Sequence, residues 1–166
     1  IAPWYNSLTK IGLNGIIVHD GLTDEFIAQY ETDRIIFVKY SPGGYSIFEE
    51  RWMAYYLILS NSPIKNLFIT DANDVTINFN PFERHKNNRQ LLVGRDLANR
   101  VGDSQWILDE MNTFIKESNY DVNPIILHQN LFNAGLIGGS TEIVLPIIIR
   151  IIKELVYNLV IDVIYY

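Results

Sequence analysis

The stretch "LFITDANDVTINFNPF", residues 67–82, sets an apolar, strand-like run directly before two carboxylates, Asp71 and Asp74. A turn signal, Asn80-Pro81, follows a few residues later. The pattern predicts a buried strand that ends at Asp71 and opens into a polar loop. Two carboxylates with two residues between them can converge on one hard divalent cation and on the diphosphate that it carries.

The same acids also allow a purely structural interpretation. Asp at a strand end is common turn chemistry, and Asp74 can cap the backbone of the loop that leads to Pro81. A calcium-hand loop is disfavoured because the stretch lacks the required glycine and the closing Glu. An aspartyl phosphatase is disfavoured because Asn73 stands where its second Asp would be. Spacing alone therefore leaves both a metal site and a turn open.

Composition limits the possible architectures and partners. With 166 residues, of which 48% are apolar, the chain is expected to form a single domain over residues 1–166. A net charge of −6 argues against a nucleic-acid partner. Cysteine is absent, which excludes disulfides, thiolate catalysis and cysteine-bound zinc. The start at Ile1 and the apolar end "LVYNLVIDVIYY" are typical of a segment of a longer protein.

The most apolar stretch is "EIVLPIIIRIIKELVYNLVIDVIYY", residues 142–166. It carries charged side chains that a membrane span tolerates poorly, so a buried core segment is expected and a membrane span is not. No Asn-x-Ser/Thr acceptor occurs in the chain, which favours a cytoplasmic or bacterial setting.

Strand-like and helix-like segments alternate along the chain. Strands are expected to end at Asp20, Tyr40, Asp71 and Asp96, with helices between them and a last helix from Ser140 or Thr141. This alternation predicts an α/β domain with one mainly parallel sheet and helices on both faces. Ligands of such sheets bind outside the carboxyl ends of the strands, where Asp20, Asp71 and Asp96 are placed.

Two stretches together resemble a known superfamily. "LFITDANDVTINFNPF", followed by "LFNAGLIGGS" at residues 131–140, resembles the nucleotide-diphospho-sugar transferases with the GT-A glycosyltransferase fold. "GIIVHDGL", "RIIFVKY" and "ERWMAYYLILSN" come in the order that this family uses before its acidic motif. The resemblance implies a GT-A-like, Rossmann-type sandwich. It also implies sugar transfer from a nucleotide-diphosphate sugar to a carbohydrate, lipid or protein acceptor, assisted by Mn²⁺ or Mg²⁺.

The resemblance assigns the metal and the nucleotide to particular residues. Asp71 and Asp74 correspond to the acidic motif, although "DAND" places two residues between the acids where the usual motif has one. The motif can instead end at Asn73. Arg51, on the helix before the acidic strand, is expected near the nucleotide because a guanidinium offers forked donors to phosphate. The charge pattern equally allows a solvated Arg at a helix start.

The second stretch supplies the remaining binding residues. By the resemblance, a floor for the donor sugar and the acceptor is formed by Asn133, Ala134, Gly135, Gly138 and Gly139. Small side chains there would let a sugar approach the backbone. The alternative is a tight strand-to-helix turn in which glycine serves geometry only.

Two carboxylates are candidates for the catalytic base, Asp162 and Asp103. Asp162 lies where the family has a late Asp near the acceptor, and an acid in so apolar a run is costly unless it is paired or functional. The alternative for Asp162 is a partly exposed position on the last element. The alternative for the whole chain is a non-catalytic carbohydrate- or nucleotide-binding domain with the same fold.

Overall fold

The fold is that of a computed structural model, which describes residues 2–84, 89–118 and 122–164. Its strands are β1 (Gly15–His19), β2 (Ile35–Lys39), β3 (Asn66–Thr70), β4 (Leu92–Arg100) and β5 (Asn130–Ser140). Its helices are α1 (Ala2–Ile11), α2 (Asp24–Tyr30), α3 (Ile47–Ser60), α4 (Pro81–Arg84), α5 (Gln105–Ser118) and α6 (Thr141–Ile164). Short 3-10 helices cover Val101–Asp103 and Pro124–His128.

The chain divides into two compact units. The first contains Ile1–Leu91 and Gly138–Tyr166, and the second contains Leu92–Ile137. The expectation of a single domain over residues 1–166 stays a prediction. The boundary falls within β5, so this strand contributes its last three residues to the first unit.

The first unit contains a small parallel sheet. β1 and β2 pair in parallel, with Gly15 opposite Ile35 and Val18 opposite Val38. Both strands are rich in β-branched residues, which fit a pleated, half-buried surface. The short helix α1 covers this sheet, because Trp4 and Leu8 lie one turn apart and pack into one core cluster with strand residues. The buried strand members of this cluster are Ile17 and Ile35.

The other strands form a separate antiparallel sheet in which β5 lies between β3 and β4. In the first unit, the Thr141 backbone N–H donates to the Lys65 carbonyl at 2.9 Å, and Gly138 lies against the Phe68 ring. From Gly138 to Thr141 the chain moves forward, while its neighbour moves backward from Phe68 to Lys65. The two segments therefore run antiparallel. In the second unit, Gly94 of β4 lies against Leu136 of β5.

The prediction of one central, mainly parallel GT-A-like sheet with helices on both faces is therefore wrong. Alternation of strands and helices does not fix strand direction, because a connection that contains a helix can also return the chain antiparallel. Asp96 is not at a strand end either, since β4 continues to Arg100.

The helices α3 and α6 pack against each other. Trp52, Ala54 and Leu59 of α3 are buried, and Val144 and Ile148 of α6 are 0% and 1% exposed. The expected helix start at Thr141 is confirmed, as is the buried character of this segment at Val144 and Ile148. Among the residues that the structure describes, no helix combines the length and apolarity needed to cross a bilayer.

Candidate functional site

Consecutive residues at the start of α3 contact the ends of two strands. Glu50 accepts a hydrogen bond from the hydroxyl of Tyr40, which follows β2 directly. Arg51 Nη1 lies 3.5 Å from Oδ1 of Asp71, which follows β3 directly. The start of α3 thus connects the carboxyl ends of β2 and β3, and it brings the predicted residues Arg51 and Asp71 together.

A local cap determines where α3 begins. The Glu49 carboxylate turns back and accepts hydrogen bonds from the Ser46 backbone N–H at 2.9 Å and from the Ser46 hydroxyl at 2.8 Å. A Glu in this position satisfies the backbone N–H of the residue that precedes the helix by accepting its hydrogen bond. These contacts set the residue at which α3 begins.

The Arg51 guanidinium lies beside one carboxylate and one aromatic ring. Its central carbon is 5.5 Å from the centroid of the Phe48 ring, one turn earlier on α3. The Arg51 side chain is 20% exposed and the Asp71 side chain 47% exposed. A cation in this half-open position is within reach of an anionic ligand from solvent.

Tyr55, one turn further along α3, shares this electrostatic environment. Burial raises the pKa of the Tyr55 phenol, the positive charge of Arg51 opposes that shift, and the negative charge of Asp71 adds to it. Tyr55 therefore stays protonated and can donate a hydrogen bond. Arg51 and Tyr55 form a row of two donors on one side of α3.

The loop after β3 is anchored by its apolar residues. Ala72, Val75 and Ile77 are partly buried and pack against the core cluster of α1, β1 and β2. The Ile77 backbone N–H also donates to Ser7 Oγ at 3.0 Å. Asp71 and Asp74 are exposed. The loop thus presents its acids to solvent, while its partly buried apolar residues hold it to the core.

A cavity of about 560 Å³ lies within the first unit, between β1, β3, α1 and α3. It extends to Thr70 and Tyr55, which are neighbours of Asp71 in the chain and of Arg51 on α3. The walls are mainly apolar, and Trp4 Nε1 donates to Thr70 Oγ1 at 2.8 Å beside them. Neither Arg51 nor Asp71 lines this cavity.

The predicted glycine-rich stretch lies in β5 and is divided between the two units. Asn133, Ala134 and Gly135 belong to the second unit, where Asn133 Oδ1 accepts from the Gly135 N–H at 2.7 Å. Gly138 and Gly139 belong to the first unit.

Packing accounts for both of these later glycines. A Cβ on Gly138 would lie 2.5 Å from the Phe68 ring, and one on Gly139 would lie 2.7 Å from the Gln90 carbonyl oxygen. Gly139 also has φ +146°, which side chains rarely adopt. Their presence needs no ligand to explain it, and their role in sugar binding stays a prediction.

The two candidate bases lie far from Arg51 in sequence. Asp162 is near the end of α6, and its side chain is outside the part of the structure that is described. Asp103 ends the 3-10 helix Val101–Asp103 of the second unit. The catalytic role predicted for Asp162 stays a prediction.

Glu50 was not recognised from the sequence. It is 3% exposed and accepts hydrogen bonds from the Tyr40 hydroxyl and from the backbone N–H groups of Gly43 and Tyr45. The sequence signal is an acid pair, Glu49-Glu50, just after a glycine-rich loop, a pattern that is typical of a solvated helix start. The hydrogen bond from Tyr40 is the main reason that the pKa of Glu50 is lowered, and the same bond raises the pKa of Tyr40 to about 12.

A divalent cation at Asp71 and Asp74 would need ligands beyond these two side chains. Within the described ranges, no three His, Asp or Glu side chains gather into a group that could enclose a metal ion. A cation at Asp71 and Asp74 would therefore have at most these two carboxylates from the described chain. Mg²⁺ in proteins commonly takes one or two carboxylates and completes its shell with substrate phosphates and water. The role in metal binding predicted for Asp71 and Asp74 stays a prediction.

Comparisons of this chain with protein-family models, with curated proteins and with solved structures find no match.

Proposed function

We propose that this chain is a glycosyltransferase that moves a sugar from a nucleotide-diphosphate sugar to a carbohydrate, lipid or protein acceptor. The observation that supports this most is the half-exposed Arg51–Asp71 pair at the carboxyl end of β3. A guanidinium and a carboxylate side by side offer one group for a diphosphate and one for the cation that accompanies it. The proposal rests on this pair and on the sequence resemblance, and not on the sheet.

Arg51 is the residue that binds the diphosphate. Its forked donors suit phosphate oxygens, and its bond to Asp71 is long and partly solvated, so exchanging one partner for the other costs little. Once Arg51 contacts phosphate, the Asp71 carboxylate is available, with Asp74, to a divalent cation. Mn²⁺ or Mg²⁺ bound there would offset the charge that develops on the departing diphosphate.

The test is release of nucleoside diphosphate from a panel of sugar nucleotides with Mn²⁺, in the parent protein and in two Arg variants. Arg51→Ala should lower kcat/KM by about 10- to 100-fold, because a hydrogen bond to a charged group is worth about 1.5–3 kcal/mol. Arg150→Ala is the matched control, since Arg150 is 78% exposed and pairs with Glu154 one turn further along its own helix. Equal activity of both variants would remove Arg51 from the site.

A second function is favoured by the same ion pair. Arg51 already neutralises Asp71, so the pair can receive an anion without any metal, as a non-catalytic nucleotide- or carbohydrate-binding domain would. Calorimetry with nucleoside diphosphates in the presence of a chelator separates the two functions. Binding that survives chelation, together with no turnover of any sugar nucleotide, would replace the transferase by the binding domain.

A further inference from the structure

We propose that Glu50 is a positioning residue: its buried carboxylate holds the loop of residues 41–46 and the start of α3 in the arrangement that aims Arg51 at Asp71. The effect on ligand affinity rests on the proposed function. The effect on the order of the loop does not.

The first observation is that Glu50 is the only buried residue in the segment 41–50. Every residue from Ser41 to Phe48 is exposed, including large apolar side chains such as Ile47 at 63% and Phe48 at 66%. Glu50, by contrast, is 3% exposed. Burial of apolar surface therefore contributes little to holding this segment, and another interaction must fix it.

The second observation is the number of donors that converge on the Glu50 carboxylate. One oxygen accepts from the Tyr40 hydroxyl, and the other accepts from the backbone N–H groups of Gly43 and, at 3.1 Å, Tyr45. The backbone N–H of Gly44 also lowers the pKa of this carboxyl. Successive backbone N–H groups that point at one anion form a nest, and here the anion belongs to the protein itself.

The third observation is that the loop backbone is shaped to this carboxylate. Gly44 has φ +99°, a conformation that favours glycine. A Cβ on Gly43 would lie 3.3 Å from Glu50 Oε1, so the carboxylate approaches the backbone where glycine leaves room. The contact with Glu50 accounts for Gly43, and the positive φ accounts for Gly44.

The link to the site is the position of Glu50 next to Arg51 on the same helix. A carboxylate held by three hydrogen-bond donors fixes the backbone at residue 50. The next residue carries the guanidinium that lies 3.5 Å from Asp71. If the loop loosens, the start of α3 loses its attachment to β2. Arg51 then samples directions other than that of Asp71.

The experiment compares Glu50→Gln with Glu25→Gln. Glutamine keeps the size of the side chain but replaces one acceptor oxygen by an NH₂ group. This NH₂ group cannot accept the hydrogen bonds that the Glu50 oxygen accepts. Amide exchange measured by NMR should accelerate at least tenfold at Gly43, Gly44 and Tyr45 in Glu50→Gln. Glu25 is an exposed Glu in the first turn of α2, so Glu25→Gln should leave these amides unchanged.

A titration distinguishes positioning by charge from simple support. The ionisation of Tyr40, followed by phenolate absorbance against a Tyr40→Phe reference, should move from about 12 toward the ordinary pKa of 10.0 in Glu50→Gln. A side chain that only filled space would not move it. If Glu50→Gln does not fold, Tyr40→Phe serves in the exchange experiment, where loss of one donor should accelerate the same three amides by a smaller factor.

The affinity of the parent and of Glu50→Gln for a nucleoside diphosphate with Mn²⁺ completes the test, and a roughly tenfold loss is expected, equivalent to about 1.4 kcal/mol. Unchanged exchange at Gly43, Gly44 and Tyr45 together with an unchanged Tyr40 titration would overturn the proposal. If the parent itself binds no nucleoside diphosphate, the proposed function fails, while exchange and titration still decide the role of Glu50.

Discussion

Tyr40 and Glu50 show how one hydrogen bond changes two acid–base equilibria. The pKa of Tyr40 is raised to about 12 chiefly because its hydroxyl donates to the Glu50 carboxylate. The folded protein therefore keeps a proton that the unfolded chain loses near pH 10, so this stability is present below pH 10 and lost as the pH rises toward 12. Urea unfolding across this range should show a smaller alkaline loss in Tyr40→Phe than in the parent. An identical loss in both would contradict the assignment.

Gly44 offers a test of backbone conformation at a single residue. With φ +99°, replacement by Ala is strained whatever space surrounds it, and Gly44→Ala should lower the free energy of unfolding by about 1–2 kcal/mol. Gly21→Ala is the control, because a Cβ there meets no atom within 4 Å and its φ is outside the left-handed region. Urea titrations of both variants give the comparison. Equal stability of the two would mean that the loop adapts.

Asp74 allows the metal assignment to be tested without disturbing the fold. The residue is exposed, so Asp74→Asn should keep the melting temperature of the parent within a few degrees. Loss of one of two carboxylates should reduce metal-dependent sugar transfer by roughly three to four powers of ten, or about 4–5 kcal/mol of transition-state stabilisation. Asp33→Asn, at another exposed Asp, is the control. Full activity of Asp74→Asn, or of the parent in excess chelator, would indicate a metal-independent reaction.

At the scale of elements, the contact between α3 and α6 should carry much of the stability of the first unit. Ile148 of α6 is 1% exposed, and Ile148→Ala should lower the free energy of unfolding by about 2–5 kcal/mol because it leaves a cavity. Ile47 is also a helical isoleucine but is 63% exposed, so Ile47→Ala should change stability by no more than about 0.5 kcal/mol. Chemical unfolding of both variants measures the difference. Similar losses would place Ile148 outside the core.

Elements with a strong local signal could be predicted from the sequence. The runs that became β1, β2 and β3 are rich in β-branched residues and end at turn-forming residues, so their signal is local. Helix α1 was missed, because "APWYNSLTKI" has few strong helix formers and is held by the contacts of Trp4 and Leu8 with the core. The direction of β5 was missed for a similar reason. Its partner strands are distant in sequence, and no local pattern specifies which edges pair.

The candidate site shows the same contrast between local sequence signals and contacts that depend on the fold. Arg51 and Asp71 were singled out by residue type and position, and the structure places them in contact. Glu50 was passed over because its importance depends on how the glycine-rich loop folds back on it. A local pattern of two acids at a helix start predicts solvent exposure, and only the loop makes one of them buried.

At the scale of the whole molecule, the division into two units limits where a ligand should act. Arg51, Asp71 and Asp74 all belong to the first unit. A nucleoside diphosphate with Mn²⁺ at 100 times its Kd should stabilise the folded state by about 2.7 kcal/mol. Amide exchange should then slow at residues 43–51 and 70–74, whereas amides of α5, in the second unit, should keep their rates. Slowing confined to α5 would place the ligand elsewhere.

The anchored loop after β3 also restricts how the acidic motif can change during evolution. The loop packs against the core through Ala72, Val75 and Ile77, while Asp71 and Asp74 are exposed. Each position of the loop therefore has a fixed orientation, toward the core or toward solvent. Loss of Asn73 would give the more usual spacing of the acids but would shift the register of everything that follows, and Val75 and Ile77 would leave their contacts. A lineage can therefore vary this motif by substitution at fixed length. A deletion here would have to arrive with compensating changes in α1 and β1.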